Sequence, residues 1–365
     1  MPINRNTYGK TQIVEHLLAK QISGDSATGP KVAVLNAFRT GVSVSACLIF
    51  KGLVSELVLY DEDADLVEAE VEDLSHAAVF HGNPRIIPTN DLSDVKDALV
   101  CVLTCRCSNS AKDDEVQCKV NRVKLQVSKI KQYAPNCIIV IADEPVDLLS
   151  YVAWKTSEFE SNKIIGVGTM LDNVRLRSLV ANRLKNQIRA SDVQSFVVGQ
   201  AGCNSGKEIR ALICRPWLCI SFAVPVWSSA SVMNTRLKDF NAFIGTSQDS
   251  EAWNEHYDKY VRDASSVLTA KLGYHGWGLA ACACKIVDCV LRNTQSPLPV
   301  STFMPGCNHG FSDKNVFVSL PCIIGRTGVL TIVKQRYTVE EQTKLEQACS
   351  KILASIKKFV PELMN

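Results

Sequence analysis

The sequence predicts an α/β protein whose first half folds around a doubly wound parallel sheet. Three observations support this. Lys31–Leu35 is a short apolar run rich in β-branched residues, residues 42–50 have the apolar density of a buried helix, and Glu56–Tyr60 is a second apolar run. Strand, turn, helix and strand in this order form a βαβ unit, whose two strands lie parallel in one sheet.

The turn after the first strand carries the expected ligand chemistry only in part. In Rossmann-type sheets this turn reads G-x-G-x-x-G, and an acid about twenty residues later binds the ribose hydroxyls of a dinucleotide. Gly41 takes the third glycine position and Asp61 stands where the acid is expected, but Asn36 and Phe38 replace the first two glycines. Asn tolerates a positive φ, whereas a phenyl ring would stand where the pyrophosphate should lie. The sequence therefore predicts a dinucleotide-binding scaffold with an altered phosphate turn.

The same alternation of strands and helices continues through the first half. Further strands are expected at residues 85–88, 99–104, 137–142 and 164–167, and helices at residues 64–76 and 116–133. The segment GVGTMLDNVRLRSLVANRL then opens a long amphipathic helix. On that helix Asp172 and Arg175 lie three residues apart on one face.

The second half predicts a further α/β domain. Helices are expected at residues 251–272, 277–291 and 339–359, and strands at residues 300–304 and 316–320. In the last helix the apolar positions follow helical spacing: Leu345, Ala348, Ile352 and Ile356. With 365 residues, the chain is long enough for two domains with substantial cores.

Composition excludes several classes of protein. The net charge is +3 and no basic stripe stands out, which argues against a nucleic-acid partner. No apolar window is long enough to span a bilayer, and the first ten residues contain no signal-like apolar region. These features predict a cytoplasmic protein with no membrane partner.

The 15 cysteines predict free thiols in a reducing compartment rather than a disulfide framework. Two groups invite a metal-site hypothesis: Cys105, Cys107 and Cys118, and Cys282, Cys284 and Cys289. Neither group has paired C-x-x-C spacing or a nearby His. We therefore expect no metal.

Residues 1–30 form a separate N-terminal arm in this prediction. Residues 11–20 carry an apolar stripe, and the loose polar segment ISGDSATGP follows them. Two interpretations stay open. The arm is either a helix that lies on its own domain or an element that docks on a neighbouring subunit.

Several segments together resemble the L-lactate dehydrogenases of the lactate/malate dehydrogenase family. They are KVAV, EVEDLSHA, PVDLLSYVAWK, NKIIGVGTMLDNVRLRSL, VPVWSS, KLGYHGWGLA and VFVSLPCIIGRTGV, in the order that the family has them. The resemblance implies an oligomerisation arm at residues 1–30, a dinucleotide-binding domain at 31–167 and a substrate domain at 168–365. It further implies NAD as cofactor, lactate and pyruvate as substrates, and a tetramer.

The same resemblance assigns the catalytic positions. Asp172 matches the Asp that orients the catalytic His, and Arg175 matches the Arg that clamps the substrate carboxylate. An ion pair with Asp172 or a surface charge is the other interpretation of Arg175. The His itself should lie in a G-E-H-G motif, where this chain has G-Q-A-G with Ala201 at the His position. The loop Arg that polarises the carbonyl matches Glu115.

Two further substrate-binding positions also differ from the family. Glu144 matches the Asn that positions the nicotinamide ribose and the substrate, and His275 matches a small residue that lines the pocket. His275 could replace the missing acid only without Asp172 to hold its tautomer. The remaining histidines are interpreted as ordinary surface residues: His16, His76, His81, His256 and His309.

An insertion at about residues 203–223 separates the G-Q-A-G motif from V-P-V-W-S, which in the family lie only a few residues apart. It is apolar and contains Trp217. It is interpreted as a segment that binds a partner or plugs the pocket, as a surface excursion, or as translated intron sequence.

These substitutions predict a catalytically impaired protein. A general acid contributes roughly 10²- to 10⁴-fold and an oxyanion stabiliser on the order of 10²- to 10³-fold, although the losses are not additive. The leading hypothesis is a pseudoenzyme that acts as a binding or structural subunit. The alternatives are an NAD-dependent oxidoreductase acting on a 2-hydroxy acid and its 2-oxo acid, and a regulatory subunit that joins active lactate dehydrogenase in hetero-oligomers.

Overall fold

The computed structural model describes residues 29–105, 112–201, 222–272, 276–306 and 315–364. The helices in these residues are α1 (Thr40–Phe50), α2 (Ala64–Ala78), α3 (Lys112–Tyr133), α4 (Val146–Ser157), α5 (Met170–Arg183), α6 (Trp253–Leu272), α7 (Trp277–Arg292) and α8 (Val339–Phe359). The strands are β1 (Lys31–Leu35), β2 (Glu56–Tyr60), β3 (Arg85–Thr89), β4 (Val100–Leu103), β5 (Ile138–Ile141), β6 (Ile164–Gly166), β7 (Val193–Gln194), β8 (Val197–Gly199), β9 (Ala223–Pro225), β10 (Ser231–Val232), β11 (Thr235–Arg236), β12 (Ser296–Met304), β13 (Val316–Gly325) and β14 (Gly328–Ile332).

The first six strands form a parallel sheet in the order β3-β2-β1-β4-β5-β6. This is the doubly wound order of dinucleotide-binding folds, in which ligands bind outside the carboxyl ends of the strands. The strands are almost wholly apolar and buried, because helices cover both faces of such a sheet. The predicted Rossmann-type sheet is confirmed.

The sheet continues beyond β6 with antiparallel strands. β12 pairs with β6 through Ser301 and Gly166, β13 pairs along the whole of β12, and β8, β9 and β14 extend the sheet further. A small separate sheet contains β11, β10 and β7. The α/β second half is thereby confirmed, and it shares one sheet with the first half.

Two hydrophobic cores hold the described residues together. The larger extends over the sheet, α1, α4, α7 and α8. The smaller lies between α5 and α6, where the rings of Trp227 and Trp253 are 5.7 Å apart and Tyr257 is fully buried. The larger core places the carboxyl ends of the strands next to α5 and α7, which is where the candidate site lies.

Some elements differ from the sequence-based expectation. The helix α4 was not predicted, because most of its residues are buried and its apolar run therefore lacks a polar face. The strand β12 begins four residues before the predicted position 300 and contains Pro297 and Pro299. These prolines are tolerated because β6 pairs with β12 only at Ser301, so the start of β12 has one neighbouring strand.

The predicted insertion ends earlier than expected. Ala223 was assigned to the insertion, but it belongs to β9 and pairs with Gly199 of β8. Both ends of the segment are therefore fixed on neighbouring antiparallel strands. Residues 202–221 lie outside the described residues, as do most of the predicted arm, His16, His275 and His309.

The described part of the chain contains no helix that is long and apolar enough to cross a membrane. Its free thiols are Cys47, Cys101, Cys105, Cys137, Cys282, Cys284, Cys289, Cys322 and Cys349. Cys118 differs from the predicted free thiol because it is disulfide-bonded. Among the described His, Cys, Asp and Glu residues, no group of three or more could hold a metal ion.

The turn between β1 and α1 depends on two residues. Asn36 adopts a φ of 77°, a conformation that Asn accepts more readily than most residues. A Cβ atom at Gly41 would collide with the backbone carbonyl oxygen of Asn36. Glycine at position 41 therefore allows the first turn of α1 to close against the end of β1.

We expect Gly41→Ala to lower the free energy of unfolding by about 2 kcal/mol or more, since the neighbour is rigid backbone. Urea unfolding measures the change. In Gly52→Ala, a control with a φ of 59° and open space around the added Cβ, the loss should be about 1 kcal/mol. Equal losses in the two variants would contradict the proposed role of Gly41.

Candidate functional site

A cavity of about 350 Å³, including its open mouth, lies at the carboxyl ends of β5 and β6. Its lining residues come from the segments after β5, β6 and β8 and from α4, α5 and α7: Asp143, Glu144, Val146, Val167, Gly168, Leu171, Asp172, Arg175, Ala201 and Leu279. Four residues singled out in the sequence thus meet in one place: Glu144, Asp172, Arg175 and Ala201.

Asp172 and Arg175 form a buried ion pair on α5. Nη1 of Arg175 donates to Oδ1 of Asp172 at 2.9 Å, across the i, i+3 spacing of the helix. Arg175 is 8% exposed, and its buried Nη2 has no hydrogen-bond partner in the described part of the chain. An unsatisfied buried donor is costly, so this nitrogen is available for an acceptor that enters the cavity.

Lys119 holds Asp143 and Glu144, which line the cavity after β5, in place. Its Nζ donates to Oδ1 of Asp143 at 2.7 Å and to the backbone oxygen of Glu144 at 2.9 Å. Oδ2 of Asp143 accepts from the backbone N–H of Cys105 at 2.7 Å. Burial lowers the pKa of Lys119, but the charge and hydrogen bond of Asp143 together with the charge of Glu115 outweigh burial, and the pKa is raised. Asp143 is thereby held as the ion-pair partner of Lys119.

Lys119 and Asp143 do not stand out in the sequence. Asp143 could have been recognised by its place directly after a buried strand, whereas no sequence pattern around Lys119 indicates its role. Glu115, which the sequence predicts at the position of the carbonyl-polarising Arg, forms an ion pair with Lys119 at 3.2 Å and does not line the cavity. Its carboxylate is therefore offset by Lys119 beside the cavity wall.

Glu144 is the carboxylate of the cavity with the least compensation. It is half-buried, and no hydrogen bond or ion pair engages its carboxylate within the described ranges. Burial, followed by the charges of Asp172 and Asp143, raises the pKa of Glu144 to about 7, although Lys119 and Arg175 act in the opposite direction. A carboxyl group with a pKa near neutrality can gain or lose a proton under physiological conditions.

Ala201 is positioned by the buried carboxylate of Asp147 beneath it. The backbone N–H of Ala201 donates to Oδ2 of Asp147 at 3.3 Å, and the hydroxyl of Ser301 donates to Oδ1 at 2.5 Å. Burial raises the pKa of Asp147 to about 7 despite these two hydrogen bonds. The methyl group of Ala201 brings no titratable group to the cavity.

The β1–α1 turn has a polar lining that the sequence did not reveal. The side-chain amide of Asn36 donates to the backbone oxygen of Thr104 and accepts from Nη1 of Arg122 at 3.1 Å. Nη2 of Arg122 is 3.1 Å from Glu62. Phe38 is 38% exposed, and the guanidinium of Arg39 lies 4.9 Å from its ring centroid. The phenyl ring of Phe38 is thus a partly exposed part of the β1–α1 turn.

The residues around this turn fit a dinucleotide in two respects. Asp61 directly follows β2, is 2% exposed and accepts from the backbone N–H of Asp63 at 3.1 Å. The first turn of α1 has no acidic side chain and its N-cap makes no side-chain hydrogen bond. A helix start of this kind attracts anions.

Comparison with known proteins gives two family matches. The model for the lactate/malate dehydrogenase NAD-binding domain matches residues 30–166, and that for the lactate/malate dehydrogenase α/β C-terminal domain matches residues 221–363. Human L-lactate dehydrogenase A-like 6B is 30% identical over 95% of this chain and 85% of its own length. Human L-lactate dehydrogenase A-like 6A is 31% identical over 87% of this chain and 90% of its own length. The L-lactate dehydrogenase A chain of Lycodichthys dearborni is 31% identical over 92% of this chain and 94% of its own length.

The raised pKa of Asp147 predicts a pH-dependent stability. The carboxyl binds a proton more tightly in the folded chain than at its ordinary pKa of 3.8, so its contribution is greatest at low pH and is lost as the pH rises towards 7. We expect Asp147→Asn to reduce this loss by up to about 1.4 kcal/mol per pH unit. Urea unfolding at about pH 5, 6 and 7 measures the slope.

The exposed Asp97→Asn serves as the control and should leave the slope unchanged. Glu144 contributes to the slope in all three proteins, so the difference between them isolates Asp147. The assignment is wrong if Asp147→Asn and wild type lose stability in parallel over this pH range.

Proposed function

The chain belongs to the lactate/malate dehydrogenase family, and from that premise we propose that it is an L-lactate dehydrogenase-like protein without hydride-transfer catalysis, acting as a binding or structural subunit. One observation carries the proposal. Ala201 lines the cavity at the position of the family's proton-transferring His, and alanine can neither donate nor accept a proton. The reaction needs a positioned acid to protonate the carbonyl oxygen as hydride arrives at the adjacent carbon.

The surroundings of Ala201 support the same conclusion. Asp172, which should orient the His, is engaged instead by Arg175 at 2.9 Å. Nη1 of the guanidinium is thereby occupied, which leaves Nη2 for the carboxylate of a 2-oxo acid. Such an acid would also meet the carboxylates of Asp143 and Glu144 in the cavity lining. Carboxylates that line a half-buried cavity repel an anionic ligand and so weaken its binding.

NAD is the cofactor that the scaffold would hold. Asp61 would accept the ribose hydroxyls, and the backbone of the β1–α1 turn would face the pyrophosphate. The cofactor supplies a hydride donor or acceptor when it is bound. In this proposal Phe38 narrows the phosphate turn, so that the cofactor binds weakly.

An active oxidoreductase for a 2-hydroxy acid and its 2-oxo acid is the second candidate. Glu144 favours it, because this carboxyl lines the cavity together with Arg175 and has a pKa of about 7. A general acid of that pKa would be suited to proton transfer at neutral pH. The unfavourable charge of the cavity towards an anion makes it the weaker candidate.

Assembly and location complete the proposal. We assign residues 1–30 to an oligomerisation arm, 31–167 to the dinucleotide-binding domain and 168–365 to the substrate domain. The chain forms a homotetramer or joins active lactate dehydrogenase subunits in the cytoplasm. His275 remains a pocket residue in this assignment.

We expect purified protein to oxidise NADH in the presence of pyruvate no faster than its Asp172→Asn variant, because Ala201 supplies no proton. Absorbance of NADH under initial-rate conditions measures this. A pyruvate-dependent rate that Asp172→Asn or Arg175→Gln abolishes would overturn the loss of catalysis. A rate that Glu144→Gln also abolishes would establish the second candidate.

We expect Phe38→Gly to strengthen NADH binding about tenfold or more, since the ring leaves the phosphate turn and backbone N–H groups become accessible. Calorimetric titration measures the dissociation constants. Phe80→Gly is the matched control, because Phe80 is 84% exposed and lies away from the turn. If the wild-type protein binds NADH tightly and Phe38→Gly does not change the dissociation constant, then Phe38 does not obstruct the phosphate turn.

A further inference from the structure

The charges that line the cavity do not suit the 2-oxo acids on which the family acts. Among the described residues, three carboxylates and one guanidinium line it, namely those of Asp143, Glu144, Asp172 and Arg175. Asp143 is neutralised by Lys119 and Asp172 by Arg175. Glu144 is left as the carboxylate without an ion-pair partner among the described residues.

A hydrogen-bond donor and a carboxylate acceptor, each without a partner among the described residues, therefore line the same cavity. Nη2 of Arg175 is a buried donor without a hydrogen-bond partner within the described ranges, on a side chain that is more than nine-tenths buried. The Glu144 carboxylate is an acceptor for which the described part of the chain supplies no partner. Arg175 and Glu144 both line the cavity, so a small ligand can reach both groups.

We propose that this cavity binds a small α-amino acid as its zwitterion, with the ligand carboxylate on Arg175 and the ligand ammonium on Glu144. The inference rests on the proposed function, because it names the ligand of the same cavity. A zwitterion gives each of these two groups an opposite charge and brings no net charge into the site. Buried charges are tolerated when they are paired in this way.

The enclosed part of the cavity is small, because its volume of about 350 Å³ includes the open mouth, and this limits the ligand to a small amino acid. Val146, Val167, Leu171 and Leu279 supply an apolar wall for a short aliphatic side chain. L-Alanine is therefore compared with L-lactate. The two differ only at the α-carbon, where L-alanine carries an ammonium group and L-lactate a hydroxyl group. Ethylamine tests the ammonium without the carboxylate.

The experiment is calorimetric titration of the full chain at about pH 8 with L-alanine, L-lactate, pyruvate and ethylamine, without NADH. We expect L-alanine to bind at least tenfold more tightly than each of the others. We expect Glu144→Gln, which keeps the side-chain shape, to weaken L-alanine binding at least tenfold and to leave or improve L-lactate binding. Glu160→Gln makes the same change on an exposed side chain and should alter neither.

The pH dependence provides an independent readout. Glu144 faces Asp143, Asp172, Lys119 and Arg175, and with a pKa of about 7 it is mostly protonated at pH 6. The ammonium group of the ligand stays charged over this range. L-Alanine binding should therefore weaken about tenfold from pH 8 to pH 6, and this change should vanish in Glu144→Gln.

Three results would overturn the inference: L-lactate binding as tightly as L-alanine, no binding of L-alanine at about 10 mM, or a Glu144→Gln variant with unchanged affinity. The first two use the wild-type chain, so they stand even if the variant does not fold. Failure of the proposed function is detected separately, by pyruvate-dependent oxidation of NADH.

Discussion

The buried carboxylate of Asp147 is the interaction on which the site depends. It accepts from the hydroxyl of Ser301 on β12 and from the backbone N–H of Ala201 after β8, while it lies on α4. Ser301 is also the residue through which β12 pairs with β6. One side chain therefore joins the parallel sheet, the antiparallel strands and the floor of the cavity. Burial raises the pKa of this carboxyl, so the junction is also a source of pH dependence.

The cavity combines a retained framework with changed chemistry. Arg175 and Asp172, which the sequence predicts as the carboxylate clamp and the His-orienting Asp, form an ion pair that leaves Nη2 of Arg175 without a partner among the described residues. Glu144 and Asp143 add negative charge to the same cavity lining. The charge pattern argues against catalysis on a 2-oxo acid and in favour of a ligand that carries a positive group. The loss of catalysis is thus carried by Ala201, and the inferred ligand by the charges beside it.

The sequence predicted the fold, and four of the residues that it singled out line the cavity: Glu144, Asp172, Arg175 and Ala201. The strand β1, the residue Gly41 and the i, i+3 pair on α5 follow from local patterns that tertiary structure preserved. The helix α4 escaped prediction because burial on nearly all sides removed its amphipathic pattern. Lys119 and Asp147 escaped because their roles depend on partners distant in sequence, Asp143 and Ser301, which only the folded sheet brings near.

The hairpin of β8 and β9 has a consequence for how the family can diversify. Gly199 and Ala223 are paired, so the chain leaves and re-enters the sheet at the same point. The entropic cost of a longer connection at a closed point grows only logarithmically, by about 0.6 kcal/mol for each doubling of a flexible loop. Extra sequence can therefore accumulate here at little cost to folding. The connection after Ala201, which lines the cavity, is thus a place where added sequence can bring new binding contacts to an unchanged framework.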